Sequence, residues 1–187
     1  MNPSIDILLV EDDPGDVRLA LSVLRALKID ERCVVVSDGE QAMDFLQGRG
    51  RYAREAQGLP RLILLDLKMP RADGFDFLGR VKRDPRLGLI PVVALTSSRE
   101  ERDVERAYGL GANGYVVKGI DFDDYRATLR ALTEYWVRVN EPPSDTVGRE
   151  ALTDRPRAKG VQTSNTSTRR LALISLGLTR TRLVCAG

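Results

Sequence analysis

The chain of 187 residues reads as an α/β protein, a doubly wound parallel sheet of five strands with helices on both faces. Short unbroken apolar runs bounded by turn residues recur along residues 5–117, and such runs are what strands buried on both faces look like. Between them lie amphipathic segments, and repeated strand–helix alternation builds a parallel sheet. A third observation concerns chemistry. Ile5–Val10 ends on Glu11 and Asp12, Leu62–Leu65 on Asp66, Val92–Leu95 on Thr96, and Tyr115–Val117 on Lys118. In an open α/β sheet the carboxyl ends of the strands border one crevice. Three carboxylates, one hydroxyl and one ammonium should therefore meet at one edge.

Each element has its own signal. After the first strand, Asp13 and Pro14 are a cap and a first helical residue, with Val17, Leu21, Leu24 and Leu27 turned inward. Cys33–Val36 is the second strand, and Gly39–Leu46 a short helix burying Ala42, Phe45 and Leu46. Residues 47–60 form a polar loop, long for a compact unit. The third strand ends at Asp66, and Lys68–Gly74 leads to a helix with Phe75, Leu78 and Val81 inward. Pro91 opens the fourth strand. Ser98 and Glu101 have capping-box spacing for the next helix, which stops near Gly109 and Gly111. The fifth strand, Tyr115–Val117, feeds a helix from Asp121 to about Asn140, ended by Pro142-Pro143.

Along that last helix Phe122, Tyr125, Leu129, Leu132, Trp136 and Val139 form a seam with spacings of three and four. Its first three members should face the sheet. A helix of about 20 residues is roughly 30 Å long, more than a short strand covers. Trp136 and Val139 should then project as part of a homodimer interface drawn from Tyr125, Leu129, Leu132, Trp136 and Val139.

Charge separates the chain into two parts. Residues 141–187 hold eight basic and four acidic side chains, leaving 21 basic and 23 acidic in 1–140. A mildly acidic globule with a basic tail is not the footprint of a nucleic-acid-binding domain. Residues 1–143 are expected to form the ordered domain and 144–187 a flexible basic tail, polar and small over Gln162–Thr168. No run approaches the roughly 18 apolar residues of a membrane span and no signal peptide is legible, so a cytoplasmic location is expected. With no histidine, the chain cannot build a His-based triad or carry phosphohistidine; that chemistry must come from a partner. Cys33 in a buried strand and Cys185 near the end are not placed for a structural disulfide.

Adjacent acids beside a third carboxylate make an oxygen-rich pocket suited to Mg²⁺. Neutralised in this way, a carboxylate can act as nucleophile toward a phosphoryl group. Lys118 would supply positive charge and Thr96 a hydroxyl to phosphoryl oxygens. Taken singly, Asp66 could be an ordinary strand-end carboxylate and Glu11-Asp12-Asp13 an acidic helix start. Aligned with the other strand ends, the functional reading prevails, because unpaired carboxylates beside a core are costly.

Four segments carry a family resemblance: Ile7–Asp13, Leu65-Asp66-Leu67-Lys68-Met69-Pro70 with Asp73-Gly74, Ala94–Ser97, and Gly111–Lys118. In this order they resemble the receiver domain of bacterial two-component response regulators, over about residues 4–140. The resemblance implies a flavodoxin-like sheet of order 2-1-3-4-5. It implies that Asp66 accepts a phosphoryl group from a sensor kinase histidine, and that Glu11 (through water), Asp12, Asp66 and the Lys68 backbone carbonyl hold Mg²⁺. Thr96 and Lys118 would bind the phosphoryl group, with Thr96 and Tyr115 as the switch pair. The turn Asp13–Asp16, the loop 48–60 and the ending Tyr135–Pro143 resemble the single-domain subgroup paired with bacterial phytochromes. Gly119 departs from the pattern, since receivers usually place a cis-proline after the lysine. A cis bond without proline costs about 2.5–4 kcal/mol, so a trans or mobile loop is expected.

These features imply a phosphorylation-controlled switch acting through protein contacts, without a DNA-binding output unit, and not an enzyme in its own right. Two alternatives compete. An aspartyl-nucleophile phosphatase or phosphotransferase of the haloacid dehalogenase type usually carries a second Asp two residues on, where this chain has Lys68. The basic tail could instead tether the receiver to nucleic acid or membrane, which salt-dependent binding would reveal.

Overall fold

The structure, a computed structural model, describes residues 5–53, 58–69, 72–119 and 121–143. The expected tail, 144–187, lies outside the described residues.

Five parallel strands, β1 (Ile7–Val10), β2 (Cys33–Val36), β3 (Leu62–Asp66), β4 (Val92–Thr96) and β5 (Gly114–Val117), lie side by side in the order 2-1-3-4-5. All of β1, β3 and β4 is buried, and alternation sends successive residues to opposite faces. Leu8, Val10, Ile63, Leu65, Val92 and Ala94 pack with α2 (Gly39–Leu46), α3 (Gly74–Arg83) and Ala107 of α4 (Glu101–Gly109). Ile7, Leu9, Leu62, Leu64, Val93 and Leu95 pack with α1 (Pro14–Ala26) and α5 (Phe122–Glu134). The winding reverses between β1 and β3, so the crevice opens where Glu11, Asp12 and Asp66 leave the sheet.

The inward face of α1 differs from the expected stripe. Leu19, Ala20, Val23, Leu24 and Leu27 are buried, whereas Val17 and Leu21 are half-buried. The helix is apolar around most of its circumference, so periodicity alone left its phase open. The expected capping box is also absent. Helix α4 begins after Glu100 with no side-chain cap; Ser98 lies two residues before that position, its hydroxyl donating to Asp103 at 2.6 Å and accepting from the Glu100 amide at 3.4 Å. The loop 47–60 contains a 3₁₀ turn at Gly50–Tyr52, and the segment after Asp66 folds back as a hairpin pairing Lys68–Met69 with Ala72–Asp73.

The last helix departs most. Asp121 caps it by accepting from the amides of Asp123 and Asp124, and Phe122 is 59% exposed rather than facing the sheet. Tyr125 and Leu129 are buried in the domain's own core, so they cannot offer an interface. From Tyr135 the chain winds as a π-helical turn to Val139, closed by the Asn140 amide donating to the Tyr135 carbonyl at 2.8 Å. The extra residue in that turn shifts the phase. Val137 turns inward and Trp136 is half-buried against the core, while Tyr135 and Val139 face out. Arg138 donates to the Leu27 carbonyl at 2.8 Å and ties this end to α1. Trp136 therefore packs on its own domain rather than projecting free; Val139 does project.

At the opposite end of the sheet from the crevice, Lys82 joins three segments. Its ammonium donates to the carbonyls of Gly88 and Ile90 (3.2 and 2.7 Å) and to Asn113 Oδ1 (2.9 Å). Burial pushes its pKa down to about 8, so at neutral pH it remains an ammonium whose three N–H groups match three acceptors. Lys82→Met keeps the stem but strands the Gly88 and Ile90 carbonyls. A loss of about 2–4 kcal/mol is expected in denaturant unfolding; a loss within experimental error would show the clip to be ornamental.

Candidate functional site

The site is assembled from strand ends and the turns that succeed them. The Glu11 amide continues the β1–β2 pairing by donating to the Val36 carbonyl at 3.0 Å, which places Glu11 at 3% exposure. Asp12 is exposed beside it. Asp13 then caps α1, accepting from the amides of Gly15 and Asp16 at 2.7 and 2.9 Å. A Cβ on Gly15 would lie 2.8 Å from the Asp13 Oδ1 that makes this cap, so glycine is what lets the turn close and set Asp16 on the first turn of α1.

Asp66 ends β3 at 6% exposure. Its Oδ1 accepts from the Lys68 amide at 2.8 Å. The backbone here runs against Gly74, where a Cβ would sit 2.5 Å from the Asp66 carbonyl oxygen and 2.7 Å from Leu67 Cα. Thr96 ends β4 fully buried, one residue past the Leu95 that pairs with Asp66. Its carbonyl accepts from the Lys118 amide at 2.7 Å, and its hydroxyl from the Ser98 amide at 3.2 Å. Lys118 comes directly after β5 and reaches back into the crevice. No described peptide bond is cis; the Lys118–Gly119 bond is trans, one of the two expected outcomes.

Oxygens of Glu11, Asp12 and Asp66 all lie within 4.8 Å of one another. The Lys118 ammonium sits among the carboxylates, donating to Glu11 Oε2 at 2.8 Å, Asp66 Oδ2 at 2.7 Å and Asp16 Oδ2 at 2.6 Å. Burial pushes the Glu11 carboxyl up to about 7, against the pull of Lys118. Burial also works against the Lys118 ammonium, but hydrogen bonds to Asp16, Asp66 and Glu11 outweigh it and hold the group above the usual lysine range. Three carboxylates thus share one ammonium, with Asp12 close by, and hard oxygen donors with surplus negative charge fit a divalent cation.

A second network borders the site. The Lys68 ammonium pairs with Asp103 at 2.8 Å, and hydrogen bonds from Lys68 and Ser98 hold the Asp103 carboxyl below its ordinary range. The Tyr115 hydroxyl donates to the Ser98 carbonyl at 3.1 Å. Sequence reading brought together Glu11, Asp12, Asp66, Thr96 and Lys118 and placed Tyr115 on the adjoining strand. It missed Asp16 and Asp103 as partners. The signal for Asp16 was available: a carboxylate in the first turn after a strand end lies at the rim of the same crevice.

The model of the response regulator receiver domain matches residues 7–130. The chain belongs to the response regulator receiver family. This receiver is 39% identical over 143 residues to Response regulator Rcp1 of Synechocystis sp. strain PCC 6803, spanning 76% of this chain and 96% of that one. The Mn²⁺-bound form of Rcp1 is a solved structure that it matches at a TM-score of 0.69 over 76% of this chain and all of the other. The phosphorylated cyanobacterial phytochrome response regulator RcpA, 36% identical, matches at 0.70 over 76% and 100% of the two chains. The bacteriophytochrome response regulator RtBRR is 43% identical and matches at 0.60 over 77% and 87%. The receiver's relatives thus include phytochrome-associated single-domain regulators, implying a histidine kinase partner. Its acidic triad of Glu11, Asp12 and Asp66 is typical of the divalent metal site of receivers, which are typically signalling proteins rather than enzymes. Among the described residues no helix is long and apolar enough to cross a membrane.

Proposed function

We propose that this receiver takes a phosphoryl group from a sensor kinase histidine onto Asp66 and signals by switching its protein contacts. One observation carries the reading: Asp66, 6% exposed, ends its strand in a crevice where an ammonium 2.7 Å away and two further carboxylates converge on it. In the transfer an Asp66 carboxylate oxygen attacks the phosphorus of the kinase phosphohistidine. The O–P bond forms as the N–P bond breaks, and the imidazole leaves. Lys118 and the Thr96 hydroxyl bind phosphoryl oxygens. Glu11 through water, Asp12, Asp66 and the Lys68 carbonyl would hold Mg²⁺, which supplies neutralisation of the carboxylates toward the incoming anion. Thr96 and Tyr115 form the switch pair, and Tyr115 is held on the β4–α4 loop by its bond to Ser98.

Similarity to Rcp1, RcpA and RtBRR favours a bacterial phytochrome as the kinase. The test is transfer of labelled phosphate from an autophosphorylated phytochrome kinase. Rapid loss of label from the kinase with gain on this protein is expected; label that stays on the kinase would reject the pairing. The receiver unit is taken as residues 1–143 and 144–187 as a separate tail, acting in the cytoplasm without direct binding to nucleic acid.

The active assembly is a twofold homodimer built on the outer edge of the last helix. Tyr135 and Val139, 51% and 69% exposed, continue the half-buried Leu132 and Trp136, and exposed apolar surface of this kind marks interfaces. Tyr135→Ser with Val139→Ser should shift sedimentation from dimer to monomer without unfolding the domain. A double variant that stays fully dimeric, or a parent that is monomeric at high concentration, would exclude this interface.

A further inference from the structure

We infer that Asp16 is a positioning residue, the carboxylate that keeps hold of Lys118 when a divalent cation takes over Glu11 and Asp66; the inference rests on the metal-assisted phosphorylation proposed above. Lysine has three N–H donors, and Lys118 spends one on each of Glu11, Asp16 and Asp66. Two of these acceptors belong to the triad whose oxygens gather within 4.8 Å. A divalent cation there contends with the ammonium for the same oxygens, and like charges at such distances repel strongly. Lys118 must therefore give up Glu11 and Asp66 as the cation binds. Asp16 stands outside the triad, on the first turn of α1, with its side chain 34% exposed. It is the partner that the ammonium retains.

The backbone explains why a tether is useful here. Gly119 is joined to Lys118 through a trans peptide bond, and glycine fixes neither φ nor the direction of the preceding lysine. The aim of the side chain is set from across the crevice instead. Asp13, Pro14 and Gly15 close the turn that puts Asp16 there. With the tether, cation binding leaves the ammonium beside the acceptor carboxylate, ready for a phosphoryl oxygen. Without it, the ammonium falls back on Glu11 and Asp66 and competes with the cation.

The test is a double-mutant cycle on Mn²⁺ affinity, read from the electron paramagnetic resonance signal of the free ion, in the full chain. Asp16→Asn is expected to weaken Mn²⁺ binding by roughly 3–10-fold when Lys118 is present and by less than about 2-fold in a Lys118→Met background. Equal weakening in both backgrounds would mean that Asp16 acts only as distant charge, and no weakening in either would mean that it does not act at all; both overturn the inference. A parent that binds no Mn²⁺ would refute the metal site itself, a separate failure. A second readout does not depend on the Lys118 variant. The ¹⁵N-resolved ammonium resonance of Lys118 should persist at saturating Mg²⁺ in the parent and be lost to solvent exchange in Asp16→Asn. Its survival in that variant would equally overturn the tether.

Discussion

Asp66→Asn is expected to take up no phosphate, from acetyl phosphate or from a kinase, at any Mg²⁺ concentration. The amide keeps the shape of the side chain, and its oxygen can still accept from the Lys68 amide as Asp66 Oδ1 does. It has no anionic oxygen to attack phosphorus. The variant should fold, because Asp66 is one of three carboxylates sharing the ammonium of Lys118, with Asp12 close by, and removing one relieves repulsion as well as losing an ion pair. Intact thermal unfolding together with absent labelling is the expected pair of results. Undiminished labelling at the native site would end the assignment of Asp66 as acceptor.

Gly74→Ala should be the most damaging single-methyl change near the site. The added Cβ would meet backbone atoms, the Asp66 carbonyl oxygen at 2.5 Å and Leu67 Cα at 2.7 Å, and neither can move without shifting the acceptor loop. Overpacking against backbone at this distance should cost about 3 kcal/mol or more, a fall in Tm of roughly 10 °C for a domain of this size. Phosphorylation by acetyl phosphate should slow in the surviving folded protein, because the Asp66 side chain is displaced with its backbone. A variant as stable and as readily labelled as the parent would show that the close approach is not real.

The sheet and the strand-end constellation were legible in the sequence for one physical reason. Strands such as Leu62–Leu65 and Val92–Leu95 are buried on both faces and read as unbroken apolar runs, so the polar residue that ends each run is conspicuous. Asp13 and Pro14 were equally readable as cap and first helical residue, since both act through local backbone chemistry. The hidden features depend on tertiary contacts. Ser98 and Glu101 have the spacing of a capping box, yet the helix starts two residues later than that spacing implies, after Glu100, and the Ser98 hydroxyl binds Asp103 across the loop. The seam from Tyr125 to Val139 assumed a uniform helix. One π turn beginning at Tyr135 rotates the last residues of the helix, bringing Val137 inward and leaving Tyr135 outside. The pairing of Asp16 with Lys118 spans 102 residues; the place of Asp16 in the first turn after a strand end puts it at the crevice rim, but only the fold shows which group it holds. Gly119 shows the converse. The missing proline was plain in the sequence, but the group that takes over its orienting role became visible only in the fold.

The central claim is that Asp66 becomes phosphorylated with the help of a divalent cation held by its acidic neighbours. The most direct measurement is mass spectrometry of the protein after incubation with acetyl phosphate, in matched samples with Mg²⁺ and with a chelator. One phosphate on the peptide containing Asp66, present with Mg²⁺ and absent with the chelator, is the expected result. Phosphate on another residue, or labelling of Asp66 that is indifferent to chelation, would contradict the account.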